Sequence, residues 1–135
     1  MSGAETDSLE PFGCVRIVRK GASQVVIEAA LVDAYNKLDP RARGRMERVM
    51  ELWCEDRALT KAMFNGNEGR STKGTMLQAI KAFKVRLYGF VTDLDGSRSF
   101  VIVDHDPAKK QDAADQNILK RAKGRVDGFG KEKTR

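Results

Sequence analysis

The sequence has few of the residues that build metal sites, disulfides or membrane spans. It contains one histidine and two cysteines, Cys14 and Cys54, which lie far apart and have no partner at CxxC spacing. This scarcity argues against a zinc centre, and we expect both cysteines to be buried free thiols. No apolar run approaches the roughly eighteen residues that a membrane-spanning helix needs. We therefore expect no membrane span.

Targeting and cofactor motifs are also missing. The first residues, MSGAETDSLEP, are acidic and polar, whereas a signal peptide is basic and then apolar, so we expect a soluble cytoplasmic protein. The stretch GNEGRSTKGT has the glycines, lysine and threonine of a phosphate-binding loop, but not the GxxxxGK[ST] order or a preceding strand. We find no GxSxG elbow either. The sequence predicts neither a metal nor a cofactor.

Positive charge is what the chain has in excess. Its 25 basic residues outnumber its 19 acidic ones, which gives a net charge of +6 at pH 7. Such a balance favours an anionic partner, namely nucleic acid, an acidic protein or an anionic membrane surface, and charge alone does not choose among them. With 135 residues, 41% of them hydrophobic, the chain has room for one modest core.

The first half of the chain predicts one strand followed by two helices. CVRIVRK alternates apolar and basic residues before Gly21, which suits a strand. From Ser23 to Leu38 apolar residues recur at three-and-four spacing, which is typical of an amphipathic helix. A second helix is predicted to begin at Pro40, with Asp39 as its N-cap. We expect these helices to pack as an antiparallel hairpin.

The second half predicts a loop, about three strands and a final helix. Residues 65–75 contain three glycines and are predicted to form the loop. MLQAIKAFKVRLYGFVT and SFVIVDH have strand-like patterns and are separated by a turn at Asp95–Gly96. Helical spacing resumes after Pro107. The predicted fold class is α+β: a small antiparallel sheet packed against an N-terminal helical hairpin and a C-terminal helix. We expect one domain at 14–127, a disordered tail at 1–13 and a basic tail at 128–135.

Candidate functional residues cluster on the strands and just after them. Because residues two apart in a strand share a face, we expect Lys84, Arg86 and Tyr88 to form a basic face backed by apolar residues. An ordinary solvated strand face is the alternative interpretation. The full candidate set also includes Lys81, Arg98, His105, Lys109 and Lys110.

His105 is the candidate for proton transfer. It lies between Asp104 and Asp106, whose charges are predicted to fix its tautomer and raise its pKa, so that it is partly protonated near neutrality. A surface histidine with no catalytic role is the alternative. The Lys109–Lys110 pair is predicted to stand at a helix amino end, where positive charge opposes the helix dipole and therefore suggests a use other than stability.

The stretch IKAFKVRLYGF, followed after a turn by SFVIVDHDPAKKQDAADQNILKRAKGR, resembles the RelE/HigB-like toxins of type II toxin–antitoxin systems, in particular their phage-derived branch. The likeness consists of a charged strand pair, an apolar strand ending in histidine, a lysine pair four and five residues later, and a closing basic helix. It spans roughly residues 25 to 127, and its specific part is the last third.

This resemblance implies a RelE/ParE-like fold and metal-independent cleavage of mRNA on the ribosome by attack of the ribose 2′-hydroxyl. The implied roles are proton transfer for His105, phosphate binding for Lys84 and Arg86, and base stacking for Tyr88. Further RNA contacts would come from Lys81, Arg98, Lys109 and Lys110. The implied partners are mRNA on the ribosome and a cognate antitoxin, with no membrane partner.

Two other functions stay open. One is a non-catalytic binding module of the same class, which includes gyrase-directed ParE-type toxins, and the carboxylates beside His105 favour it. The other is a structural protein of a phage or mobile element. Ribosome-dependent RNA cleavage would separate the first function from both.

Overall fold

The computed structural model describes residues 8–9, 12–107 and 115–129. Within these residues the chain forms seven strands and three α-helices. The strands are β1 (Ser8–Leu9), β2 (Cys14–Lys20), β3 (Ser23–Glu28), β4 (Phe64–Asn65), β5 (Gln78–Ala82), β6 (Val85–Leu94) and β7 (Ser97–Asp106). The helices are α1 (Val32–Asn36), which follows a 3-10 turn at Ala29–Leu31, α2 (Pro40–Cys54) and α3 (Gln116–Gly128).

The described strands join into one mixed sheet in the order β1-β2-β3-β7-β6-β5-β4. Every neighbouring pair is antiparallel except β3 and β7, which run parallel at the centre. The predicted small antiparallel sheet is therefore wrong. The chain leaves β3 through the helices, enters the sheet again at its far edge, and returns strand by strand until β7 meets β3.

The predicted helix from Ser23 to Leu38 is also wrong, because its first six residues form β3. Val25, Val26 and Ile27 are all fully buried, since α2 packs on one face of the sheet and α3 on the other. A run of β-branched residues buried on both faces does not alternate, and such a short run is easily mistaken for a helix. Only five residues remain for α1, so the predicted N-terminal helical hairpin does not form.

Several local predictions are confirmed. CVRIVRK is β2, and α2 begins at Pro40 with the carboxylate of Asp39 accepting the N–H of Ala42. Asp95 and Gly96 have φ of 55° and 80° and form the two-residue turn between β6 and β7. Within the predicted N-terminal tail, β1 pairs with β2. Residues 1–7, 10–11 and 130–135 lie outside the described part, which leaves most of both predicted tails untested.

The sheet has a separate hydrophobic cluster on each face. The α2 face buries Met46, Met50 and Trp53 of the helix against strand residues that include Ile80 and Phe100. The α3 face buries a second cluster, to which the helix contributes Leu119, Ala122 and Val126. No helix in the described ranges is long and apolar enough to cross a membrane.

A bulge in β7 interrupts the alternation of the sheet. Tyr88 pairs with Asp104, but the next residue, Gly89, pairs with Ile102, so Val103 is an extra residue in β7. At Gly89 the strands approach so closely that an added Cβ would lie 2.3 Å from the carbonyl oxygen of Val101. The bulge shifts the side-chain alternation of the last residues of β7 by one position.

Candidate functional site

The bulge decides which face each residue at the end of β7 occupies. Cross-strand partners share a face, so Asp104 lies with Tyr88, and Asp106 with Arg86, on the α3 face. His105 pairs with Leu87, whose side chain belongs to the α2 cluster. The proton-transfer candidate and the phosphate-binding candidate Arg86 thus point to opposite faces of the sheet.

Asp104 is an anchor for α3. Its carboxylate is 1% exposed and accepts two hydrogen bonds of 2.7 Å from Arg121, while Arg125 lies 3.5 Å away. The hydrogen bonds that Arg121 donates to Asp104 raise the pKa of Arg121 above its ordinary value. Arg121 and Arg125 also oppose the effect of Asp104 on His105, because each of their positive charges lowers the pKa of the imidazole.

His105 is a neutral imidazole near pH 7. Burial lowers its pKa below the ordinary value and outweighs the opposite pull of Asp104 and Asp106, so the predicted rise is wrong. Its backbone N–H donates to Oδ1 of Asp104 at 2.8 Å. Its Nδ1 is buried without a hydrogen-bond partner in the described part of the chain. Because a neutral imidazole carries one N–H and one unprotonated nitrogen, the ring near pH 7 can act as a base, whereas only the protonated ring acts as an acid.

Arg86 and Tyr88 share the α3 face, as predicted, but neither is freely available. Arg86 forms an ion pair of 3.3 Å with Glu68, and both side chains are largely buried. The ring of Tyr88 is 0% exposed, and burial raises the pKa of Tyr88 to about 12. A fully buried ring has no surface to offer a base, so the stacking role predicted for Tyr88 has no support in this structure.

Lys84 does not lie on the strand face assigned to it. Ala82 pairs with Val85, which leaves Phe83 and Lys84 as a two-residue turn between β5 and β6. Phe83 has φ of 55°, and its ring is 61% exposed, more than any other large apolar side chain in the described ranges. The turn therefore places an aromatic ring and a cation together at the tip of the hairpin.

Two arginines of α2 reach the same ring. The guanidinium carbons of Arg41 and Arg45 lie 5.6 and 5.4 Å from the centroid of Phe83. Residues four apart in a helix share a side, which is why both arrive together. We call this region the hairpin surface; it consists of Arg41, Arg45, Lys81, Phe83, Lys84 and Arg86.

The hairpin surface contains two cavities that share Phe83 as a wall. One, of about 380 Å³, is lined by Arg45, Lys81 and Arg86 among others. The second, of about 370 Å³, is lined by Arg41, Lys84 and Asp39, the last of which also caps α2. For Arg41, Arg45 and Lys84 the described part of the chain contains no ion pair. The cavities are therefore open to an anionic ligand.

The remaining candidates fall elsewhere. Arg98 lies near the opposite end of β7, roughly 20 Å from His105 at about 3.3 Å per residue. Its guanidinium stacks 3.7 Å from the ring of Trp53 and donates to the hydroxyl of Ser23. Lys109 and Lys110 lie outside the described residues. The structure thus brings together Lys81, Lys84 and Arg86 and separates Arg98 from them.

Sequence reasoning missed Phe83, Arg41 and Arg45 as site residues. Arg41 and Arg45 belong to a series of four arginines within residues 41–48, but nothing in the sequence shows which neighbour these side chains meet. Phe–Lys has no turn signal, because a positive φ ordinarily selects glycine or asparagine. The one available sign was an aromatic residue flanked by lysines, Lys81, Phe83 and Lys84, inside a short strand pattern.

Comparison with known proteins gives no match: no family model, no curated protein and no solved structure matches the chain. In the described residues no group of three histidine, cysteine, aspartate or glutamate side chains is arranged to hold a metal.

Proposed function

We propose that the protein is an RNA-binding toxin of a type II toxin–antitoxin pair that acts in the cytoplasm. The observation that carries the proposal is the hairpin surface, where five basic residues from α2, β5, β6 and their turn surround two cavities. Three of them, Arg41, Arg45 and Lys84, have no ion pair in the described ranges. Uncompensated cations beside open cavities favour a polyanionic ligand.

The toxin part of the proposal comes from the sequence. The order of the charged strand pair, the strand ending in His105 and the basic helix resembles RelE/HigB-like toxins. An antitoxin would neutralise the same basic surface through an acidic segment, because charge complementarity brings such partners together. RNA and antitoxin are then expected to compete for the hairpin surface.

The test of RNA binding is the salt dependence of affinity. Fluorescence anisotropy with a labelled unstructured RNA measures Kd between 50 and 200 mM salt for the wild type and for Lys81→Gln/Lys84→Gln. Losing two phosphate contacts should weaken binding and make the logarithmic slope shallower by about 1.4, at roughly 0.7 per contact for single strands. Arg48→Gln, which removes one exposed charge from α2 outside the hairpin surface, should change little. An unchanged slope in the double variant would contradict the proposal.

RNA cleavage is a second candidate function, favoured by the neutral imidazole of His105. The His105 side chain is partly exposed, and a neutral imidazole suits a base for the ribose 2′-hydroxyl. Val85, which lines the second cavity, is a diagonal neighbour of His105 on the α2 face, at a separation of about 7–8 Å. Lys84 and Arg41 of that cavity therefore replace Arg86 as the proposed phosphate ligands.

Induced expression in a bacterial host tests cleavage, with growth and mRNA 5′ ends measured for the wild type, His105→Ala and Arg86→Ala. Cleavage predicts growth arrest and new mRNA ends that vanish in His105→Ala and persist, at lower yield, in Arg86→Ala. Growth arrest of the wild type without new mRNA ends would exclude cleavage and leave RNA binding as the function. Equal behaviour of folded His105→Ala and wild type would exclude His105 as the base.

A further inference from the structure

Phe83 occupies a position that neither the turn nor the core explains. Its φ of 55° is a left-handed backbone conformation that favours glycine, so an aromatic residue is an unfavourable choice for this turn. With 61% of its surface exposed, the ring also contributes little to either hydrophobic cluster. Its usefulness therefore lies in what it presents to solvent.

The surroundings of the ring are cationic rather than apolar. Arg41 and Arg45 lie over it, and Lys81, Lys84 and Arg86 line the cavities on its two sides. The nearby carboxylates are Asp39, which accepts the N–H of Ala42, and Glu68, which pairs with Arg86. A protein interface core is depleted of charge around its aromatic residues, which this surface is not.

We infer that Phe83 is a stacking platform for one unpaired base of single-stranded RNA. Arg45 and Lys81 on one side, and Arg41 and Lys84 on the other, bind the phosphates that flank that nucleotide. The inference rests on the proposed RNA-binding function and adds to it the class of RNA. Every base offers a π face to an aromatic ring, and cations alongside follow the backbone, so such a site tolerates many sequences.

The site discriminates single strands from duplexes. In a duplex each base is stacked between its neighbours and paired, so no face is free to meet Phe83. The phosphates of a duplex would still attract the arginines and lysines, but without the contribution of the ring. The preference for single strands therefore depends on Phe83, whereas the salt dependence depends on the cations.

The test compares Phe83→Leu and Phe83→Trp with the full-length wild-type protein. Leucine keeps an apolar side chain at the turn and removes the π face, whereas tryptophan keeps it. Anisotropy titrations use a 12-nucleotide unstructured RNA, the same strand as a duplex, and single-stranded DNA of the same sequence. Phe83→Leu is expected to weaken binding of the single strand by about tenfold and leave the duplex unchanged. Val91→Ala alters the second exposed large apolar side chain of the described ranges and is the matched control.

Phe83→Trp supplies a second readout, since its indole emission should be quenched by single-stranded RNA and not by the duplex. Circular dichroism confirms that each variant is folded. The stacking role of Phe83 would be contradicted if wild type and Phe83→Leu bound single strands equally. It would also be contradicted if the wild type bound the duplex as tightly as the single strand. Either result would leave the proposed RNA binding intact. If the wild type binds no RNA, the proposed function fails and the platform with it. Single-stranded DNA bound more tightly than RNA would overturn the assignment of RNA as ligand.

Discussion

Asp104 and Arg121 form a two-point ion pair between β7 and α3, with Nε and Nη2 of the arginine each 2.7 Å from a different carboxylate oxygen. The carboxylate is almost completely buried, whereas the arginine is half exposed. The bulge at Val103 makes the pair possible, because it turns Asp104 toward α3. The same shift turns His105 toward α2, so one extra residue sets both the helix anchor and the candidate base.

Arg121→Gln should destabilise the fold by about 2 kcal/mol. A buried carboxylate left without its partner costs about 3–5 kcal/mol, but Arg121 is half exposed and Arg125 stays 3.5 Å from Asp104, which reduces the loss. Urea denaturation at pH 7 measures the difference. Lys120→Gln, on an exposed position of the same helix, is the control and should change stability by less than about 0.5 kcal/mol. Equal effects of the two substitutions would show that the pair contributes nothing.

The free energy of unfolding should fall as the pH drops below about 6.5, the ordinary pKa of histidine. Burial lowers the pKa of His105 in the folded state, so below 6.5 the unfolded chain takes up a proton that the folded chain does not. Protonation then favours unfolding until the pH reaches the folded-state pKa. In His105→Gln this part of the pH dependence should disappear, as measured by urea denaturation from pH 8 to 5. A wild type that gains stability on acidification, relative to the variant, would contradict the lowered pKa.

Tyr88→Phe should stabilise the protein by about 1 kcal/mol, because the buried hydroxyl has no partner in the described residues and its loss removes a desolvation cost. Burial raises the pKa of Tyr88 to about 12, so the free energy of unfolding should also depend on pH in the alkaline range. Above about pH 10 the unfolded tyrosine ionises first, so the wild type loses stability there and the variant loses less. Thermal unfolding at pH 7 and pH 10.5 measures both effects.

Tyr35→Phe is the matched control for Tyr88→Phe. Tyr35 is equally buried, but its hydroxyl donates to Oε2 of Glu47 at 2.6 Å. Its removal should destabilise the protein by about 1 kcal/mol, because Glu47 loses a hydrogen bond. If both substitutions shift the melting temperature in the same direction, the contrast between a paired and an unpaired hydroxyl is not what determines stability here.

Glu68→Gln should strengthen RNA binding roughly threefold if RNA occupies the first cavity. The carboxylate pairs with Arg86 at 3.3 Å, so removing its charge frees that guanidinium for a phosphate. The gain in binding free energy should be well under 1 kcal/mol, because an ion pair of this kind contributes little on its own. Glu55→Gln removes an exposed charge at the end of α2 and corrects for the change in net charge. The comparison is anisotropy at 100 mM salt, and an equal gain in both variants would assign the effect to net charge alone.

The parts of the fold that the sequence predicts correctly depend on local signals. Alternation identified β2, Asp39 and Pro40 marked the start of α2, and Asp95–Gly96 marked the turn between β6 and β7. The identity of β3 depends instead on what covers it. Its apolar run becomes a strand because β7 pairs with it and a helix covers each face, and both β7 and α3 lie far from it in sequence.

The candidate site divides in the same way. Lys81, Lys84 and Arg86 could be gathered from the sequence because they lie within one hairpin. The face of the sheet on which His105 lies could not be predicted from the sequence. It depends on the bulge at Val103, and valine is an ordinary strand residue that gives no sign of a bulge. Arg41 and Arg45 join the site only through tertiary packing of α2 beside the hairpin. A sequence pattern covers neighbouring residues only, so it cannot predict a site whose residues come from distant elements.

Gly89→Ala should destabilise the fold by about 3 kcal/mol or prevent folding. The added Cβ would meet the carbonyl oxygen of Val101 at 2.3 Å and the ring of Phe100 at 2.6 Å, and a backbone oxygen inside a sheet cannot move aside. Overpacking a core usually costs about 1–3 kcal/mol, and a backbone clash lies at the upper end.

Gly44→Ala is the opposite case, since no atom lies within 4 Å of its added Cβ in the interior of α2. It should gain about 1 kcal/mol in helix propensity. Urea denaturation of both variants therefore distinguishes a glycine that the close approach of two strands requires from a glycine that can be replaced. If Gly89→Ala were tolerated, β6 and β7 would not lie as close together as the register across the bulge requires.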